Sequence, residues 1–228
     1  MTGAAGPTAD RPRVLLLWPG GLFTGGANFG VPQLLTMADV LQREADALVD
    51  VVDLDLEKAL GPVDLSRIVE PDYDLIGISC YSSYDYLKVM AIGAELRRLS
   101  PRAWLVTGGY HPSARPLDFT GEDSPFDYVV VGDGELPLKR LVIALADGQR
   151  PSEQVRSPEP LGNLRLASYD WRLLERYRPV ARQVASQAEI YLSRGCPFDC
   201  SFCMERAKRE VAWRPLDPKQ AIEEIRRL

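Results

Sequence analysis

Leu75-Ile76-Gly77-Ile78-Ser79 is an unbroken apolar run that stops at Cys80-Tyr81-Ser82-Ser83, and an amphipathic stretch from Tyr84 to Leu99 follows it. In that stretch Leu87, Met90, Ala91, Ala94, Leu96 and Leu99 interleave with Lys88, Glu95, Arg97 and Arg98, the spacing of a helix with one apolar face. A strand that is apolar throughout suits a parallel sheet covered by helices on both sides. The unit therefore reads as strand, turn, helix.

The unit repeats outward in both directions. Upstream, Val14-Leu15-Leu16-Leu17-Trp18 ends at Pro19-Gly20-Gly21, and Leu48 to Leu54 forms another run. Downstream lie Ala103-Trp104-Leu105-Val106-Thr107 and Tyr128-Val129-Val130-Val131. Helical stretches at Pro32 to Glu44 and Glu135 to Ala146 fill the remaining gaps. Alternating strands and helices imply right-handed βαβ units. Five such strands make an α/β, flavodoxin-like (Rossmann-like), doubly wound parallel sheet over residues 13–149, whose ligands sit beyond the carboxyl ends of the strands.

The flanks differ in character. Residues 1–12 read as a flexible tail without a basic segment leading into an apolar run, so not as a secretory signal. Residues 150–187 carry Pro151, Pro158, Pro160 and Gly162 and read as a linker, with a short helix near Trp171 to Tyr177. Residues 188–228 open on Ile190-Tyr191-Leu192 and run directly into a cysteine cluster.

Composition sets the outer bounds. The 228 residues are 46% hydrophobic and 26% charged, as in an ordinary globular protein, and the net charge of −5 gives no basic footprint for nucleic acid. Arginines outnumber lysines 22 to 5, but they are scattered among acids and read mostly as solvated surface. No run approaches the roughly 20 apolar residues that span a bilayer. A cytoplasmic protein without a membrane or nucleic-acid partner is the expectation.

Three of the four cysteines fall within eight residues, which favours a metal site in a reducing compartment over a disulfide framework. Cys196-Pro197-Phe198-Asp199-Cys200-Ser201-Phe202-Cys203 has the spacing C-x-x-x-C-x-x-C. Three thiolates can hold three irons of a 4Fe–4S cubane and leave the fourth iron open. A structural zinc site requires four ligands. Cys80 and the single histidine, His111, are distant in sequence and nothing arranges either as the fourth.

At these residues the chain resembles the radical-SAM superfamily, and Ser193-Arg194-Gly195-Cys196-Pro197-Phe198 resembles its branch with cobalamin-dependent members. Trp213-Arg214-Pro215-Leu216-Asp217-Pro218, followed by Ala221-Ile222-Glu223-Glu224-Ile225, is similar to that branch's approach to the first helix of a partial (β/α) barrel. The resemblance implies that Cys196, Cys200 and Cys203 ligate the cluster, that S-adenosylmethionine binds the open iron, and that Phe202 lies against its adenine. Core packing is the plainer role for Phe202.

The first domain carries a matching resemblance. Ser79-Cys80-Tyr81, then twenty-six residues, then Gly108-Gly109 is similar to the "S-x-L … G-G" pattern of cobalamin-binding flavodoxin-like domains, with tyrosine in place of leucine. Gly108-Gly109-Tyr110-His111-Pro112 and Val131-Gly132-Asp133-Gly134-Glu135 resemble cobalamin domains fused to radical-SAM enzymes. The implied cobalamin contacts are Ser79, Tyr81, Ser82, Thr107, Gly108, Gly109, Tyr110, Gly132 and Glu135. Glycine at these ends permits close approach of the backbone to a bulky ligand.

The family's "D-x-H-x-x-G" loop is missing: residues 19–26 contain no histidine, so no histidine ligand to cobalt is expected from that loop. The nucleotide tail of cobalamin is still expected within the domain. His111 reads equally as a locally bonded turn residue or a cofactor-edge residue, Cys80 as a small buried residue, and Glu135 as a helix cap more than a ligand contact.

The resemblance implies a cobalamin-dependent radical-SAM enzyme, most often a methyltransferase, with a small-molecule or peptide substrate and a donor such as flavodoxin or ferredoxin. The alternatives are a non-catalytic cobalamin-binding module and a radical-SAM enzyme whose first domain has lost cobalamin. Only 25 residues follow Cys203, whereas one βαβ unit takes roughly 30 or more. A fragment, inactive by itself, is the expectation.

Overall fold

The computed structural model describes residues 11–21, 28–156, 169–185, 187–203 and 213–228. The expectations for residues 1–10, for the later part of the loop after the first strand and for residues 157–168 lie outside it.

Strand β1 (Arg13–Trp18) places Val14 and Leu16 in one apolar layer and Leu15 and Leu17 in another. A period of two with apolar residues at every position can be satisfied only by helices on both faces. Around β1 assemble β2 (Leu48–Asp53), β3 (Leu75–Ser79), β4 (Trp104–Gly108), β5 (Tyr128–Val130) and β6 (Val155–Arg156). All pair in parallel, in the order β2-β1-β3-β4-β5-β6. The chain reverses direction across the sheet between β1 and β3, the switch point at which doubly wound sheets open a crevice.

Helix α1 (Pro32–Glu44) begins with proline at its first position, where the missing N–H costs no hydrogen bond. It covers one face together with α6 (Glu135–Ala146), burying Leu34, Leu35, Ala38, Leu41, Leu138 and Leu141. The other face carries α4 (Tyr86–Leu99), preceded by a 3-10 turn at Ser83–Asp85. The face of α4 differs from the expected one. Val89, Gly93 and Leu96 are buried, whereas Leu87 is 77% exposed. Gly93 sets this orientation, because a Cβ there would lie 2.9 Å from Pro125 and from Phe126.

Three short helices, α2 (Leu54–Leu60), α3 (Leu65–Ile68) and α5 (Tyr110–Ala114), were not anticipated from the sequence. The run read as extending to Leu54 ends one residue earlier, because Asp53 caps α2 by accepting from the amides of Asp55 (2.9 Å) and Leu56 (3.3 Å).

The segment expected to be a linker is structured in its described residues. Val155–Arg156 adds the sixth strand beside β5. The 3-10 helix Trp171–Tyr177 and α7 (Arg178–Val184) bury Trp171, Leu174, Tyr177 and Val180 in the same core as α1 and α6. The Tyr177 hydroxyl donates to Glu57 (2.5 Å) and accepts from the Asp53 amide (3.3 Å), pinning that helix to α2.

The last segment docks on the same face. Ser193–Arg194 (β7) pairs antiparallel with Arg214–Pro215 (β8), and α8 (Pro218–Arg227) follows. The indole N–H of Trp171 donates to Glu224 (3.2 Å), and Arg178 donates to the carbonyls of Leu228 and Arg227. Among the described residues no helix is long and apolar enough to cross a membrane.

Candidate functional site

A cavity of about 340 Å³ opens at the carboxyl edge of β3, β4 and β5. Its floor is apolar, made by Leu16, Leu34, Val106, Val130 and Leu138, with Gly77 in the centre of β3. Gly77 keeps that floor low: a Cβ there would meet Leu16 at 3.1 Å. The loops leaving the strands form the rim.

After β4 comes Gly108-Gly109. Gly109 has φ +115°, and a Cβ on it would lie 2.6 Å from the Cys80 carbonyl oxygen. Only glycine fits that combination of positive φ and close backbone approach. The Ser113 hydroxyl donates to the Gly109 carbonyl (2.6 Å) and accepts from the Gly132 amide (3.0 Å), fixing the loops after β4 and β5 to each other. Tyr81 and Tyr110 meet edge to face at 5.0 Å on the rim.

Most of the expected contact residues are brought together. Ser79, Tyr81, Thr107, Gly108, Gly109, Tyr110, Gly132 and Glu135 all line the cavity. Ser82 does not. Its hydroxyl accepts from the Tyr84 amide (3.2 Å) and caps the 3-10 turn. Thr107 is buried, and its hydroxyl donates to the Ile78 carbonyl (3.1 Å).

His111 lies away from the cavity lining, against Tyr86 and Phe119, with Nε2 3.0 Å from Asp118 Oδ2. Local bonding, not a cofactor edge, is its environment. That contact is the foremost cause holding the Asp118 carboxyl below the usual carboxylate range. Cys80 is buried, as expected, and burial pushes its thiol up to about 12. The described part of the loop after β1 lines no part of the cavity. Gly21 donates to Asp55 (2.8 Å), and the Lys88 ammonium donates to the Gly20 carbonyl.

The cavity has charged walls, and of their four residues the sequence had pointed only to Glu135. Arg194 and Arg214 reach it from the last segment, and Asp133 and Glu135 from the loop after β5. Arg194 Nη1 lies 2.5 Å from Glu135 Oε1 and 3.6 Å from Asp133 Oδ1, and Arg214 Nη2 lies 3.1 Å from Asp133 Oδ2. The Thr36 hydroxyl accepts from Arg194 (3.1 Å) and lies 3.1 Å from Glu135 Oε1. Burial works against the Arg194 charge, but Glu135 and Asp133 outweigh it and raise the guanidinium pKa.

Glu135 does not cap α6, contrary to the commoner role for a helix-start acid. Its second oxygen, Oε2, is buried without a hydrogen-bond partner. A buried carboxylate oxygen without a partner is costly unless a donor reaches it. With the glycine rim and the apolar floor, that oxygen makes the cavity fit a large ligand having flat apolar parts and N–H or O–H donors. Cobalamin meets both requirements.

The cysteine loop is different. Cys196 and Cys203 are partly exposed and Cys200 is exposed, and the Cys203 amide donates to the Cys200 carbonyl (3.0 Å). Phe202 is 89% exposed. Among the described residues no three His, Cys, Asp or Glu side chains converge to hold a metal.

Comparison with known proteins agrees with the cavity. The B12 binding domain family matches residues 33–142. An uncharacterized methyltransferase of Pyrococcus horikoshii is 29% identical over 212 residues, which cover 84% of this chain and 44% of that protein. An anaerobic magnesium-protoporphyrin IX monomethyl ester cyclase of Synechocystis is 31% identical over 199 residues, covering 79% and 39%. The cobalamin-dependent radical SAM methyltransferase TokK of Streptomyces tokunonensis is 27% identical over 60% of this chain and 22% of its own.

The chain therefore spans less than half the length of these curated relatives. In fold it is similar to the cobalamin-dependent S-adenosylmethionine radical enzyme OxsB with aqua-cobalamin bound. The TM-score is 0.71 at 16% identity, covering 96% of this chain and 32% of that one. Residues 33–142 thus match the B12 binding domain, and the chain is similar to proteins described as methyltransferases and cobalamin-dependent radical SAM enzymes.

Proposed function

We propose that the cavity at the carboxyl edge of β3, β4 and β5 binds cobalamin, taking its nucleotide tail between the glycine loops and the charged wall. One observation carries this reading: the glycine pair after β4, and Gly132 with Glu135 and its unsatisfied oxygen after β5, come from two separate loops to line a single cavity. The volume of about 340 Å³ suits a heterocycle with its sugar and falls at the small end of ligand pockets.

In the complete protein the activity that fits is that of a cobalamin-dependent radical-SAM enzyme, a methyltransferase before other outcomes. Its relatives with that description support it, as does the C-x-x-x-C-x-x-C spacing. When bound, cobalamin would supply a transferable methyl group on cobalt. The residues of this chain bind and orient: Gly109 lets the backbone approach, Tyr81 and Tyr110 wall the rim, and Glu135 accepts a hydrogen bond. Cys196, Cys200 and Cys203 are the cluster donors in this reading, with Phe202 beside S-adenosylmethionine. The setting is the reducing cytoplasm, with a flavodoxin- or ferredoxin-like electron donor.

For the chain by itself a non-catalytic cobalamin carrier is the second reading, because the three thiols do not converge. The two separate experimentally. Anaerobic reconstitution with iron and sulfide should give a brown protein whose colour depends on the three cysteines. Absence of the brown iron–sulfur colour, in a chain that still retains corrinoid when mixed with it separately, would leave only the carrier.

A further inference from the structure

Arg194 is two residues before Cys196, yet its side chain is only 11% exposed and ends in the cavity of the first domain. It is the innermost link of a chain of charges. Glu135 Oε1 and Asp133 Oδ1 flank its guanidinium, the Thr36 hydroxyl on α1 accepts from it, and Arg214 holds the far oxygen of Asp133. Its neighbours are fixed too. Tyr191 lines the same cavity, its hydroxyl donating to Gln33 (3.3 Å), and its backbone bonds the Tyr169 hydroxyl on both sides. The approach to the cysteines is thus one wall of the cavity.

The geometry of Glu135 makes this more than a salt bridge. One carboxylate oxygen is occupied by Arg194 and Thr36, and the other is buried without a partner in a residue that lines the cavity. A fixed, desolvated acceptor discriminates strongly in favour of a ligand that presents a donor to it. We propose that Arg194 is a positioning residue of the cofactor site. It holds Glu135 so that Oε2 accepts from an N–H or O–H group of the cavity's ligand, and it thereby ties occupancy of the cavity to the order of the cysteine loop. The proposal rests on the cobalamin reading above, since a corrinoid offers amide N–H and sugar O–H donors at its periphery.

The test is spectrophotometric titration of the 228-residue chain with hydroxocobalamin, alongside hydrogen exchange of residues 192–203 with and without the corrinoid. Glu135→Gln keeps an oxygen for Arg194 and turns an amide N–H₂ toward the ligand's donor. Arg194→Met keeps the volume and removes the tether. Each should weaken binding at least about tenfold, the loss of one hydrogen bond to a charged group. The double variant should be no weaker than the poorer single one, because Arg194 acts through Glu135.

Corrinoid should slow exchange in residues 192–203 of the unmodified chain and fail to do so in Arg194→Met. If Arg194→Met does not fold, the near-isosteric Glu135→Gln carries the binding test alone. Additive losses, unchanged affinity, or exchange indifferent to corrinoid would each overturn the positioning role while leaving the pocket intact. Failure of the unmodified chain to bind would instead remove the pocket reading, and this proposal with it.

Discussion

Nε2 of His111 lies 3.0 Å from Oδ2 of Asp118, with the imidazole packed between Tyr86 and Phe119 and outside the cavity lining. The single histidine of the chain is therefore committed to a local contact, and cobalt in the cavity would find no imidazole from it. His111→Ala is expected to leave the visible spectrum of bound hydroxocobalamin unchanged while lowering stability by about 1–3 kcal/mol, the cost of the cavity left beside Tyr86 and Phe119, since Asp118 keeps its ion pair with Arg115. A spectral shift in the variant, read in the same titration, would place the histidine at the metal.

Gly109 offers a test of the rim. At φ +115°, with a Cβ 2.6 Å from a backbone carbonyl, alanine must both strain the chain and push the loop after β3 aside. Gly109→Ala should cost on the order of 1–3 kcal/mol in thermal or denaturant unfolding and weaken corrinoid binding. Gly148→Ala is the control. It too has positive φ, but nothing lies within 4 Å, so its cost should be smaller and binding unaffected.

Asp53 sets a pH dependence unrelated to the site. Burial is the main cause that raises its carboxyl to about 7, against the lowering effect of the Leu56 and Asp55 amides, with Asp55 and Glu189 adding repulsion. The folded chain therefore binds this proton more tightly than the unfolded chain, whose carboxyl titrates near 3.8. Stability from this group is full below about pH 4 and is lost as pH rises to about 7. Asp53→Asn keeps an N-cap acceptor and removes the titration. In melts at pH 5 and pH 8, the native chain should lose stability between the two by up to a few kcal/mol relative to the variant. Equal behaviour at both pH values would refute the assignment.

The four cysteines should separate by reactivity. Cys80 is fully buried with its thiol pushed up to about 12, whereas Cys196, Cys200 and Cys203 are partly or fully exposed. Iodoacetamide on the folded chain, read by peptide mass spectrometry, should label the three of the loop and spare Cys80 until the protein unfolds. Replacing all three by alanine should change the melting free energy by no more than about 0.5 kcal/mol, as expected for exposed positions. Replacing Cys80 by serine should cost more.

What could be read without coordinates follows from which forces act locally. The helix at Pro32 to Glu44 was legible to the residue because proline at its first position and an apolar stripe are both local signals. The carboxyl-edge residues Ser79, Gly108, Gly109 and Gly132 were legible because close backbone approach demands small residues. The sixth strand was not. Val155–Arg156 is two half-buried residues without an apolar run, and only the edge of β5 makes it a strand. The short helix after Asp53 had a local signal, the capping aspartate with Asp55 and Glu57 in the first turn, hidden by an apolar run that crossed it.

The charged wall was hidden for a different reason. Among 22 arginines, nothing local marks Arg194 as buried. Its partners Asp133 and Glu135 come from another strand end, and only the fold brings them within 4 Å. Ser82 is the converse case. The resemblance implied a contact, but the residue lies outside the cavity lining, where the backbone turns and uses its hydroxyl as a cap.

The most direct measurement is retention of corrinoid: mix the chain with excess hydroxocobalamin, desalt it, and quantify cobalt and protein. The account predicts a red protein with about one corrinoid per chain, retained by the cysteine-free variant and lost on filling the floor with Gly77→Leu. A colourless chain that is folded by circular dichroism would contradict it.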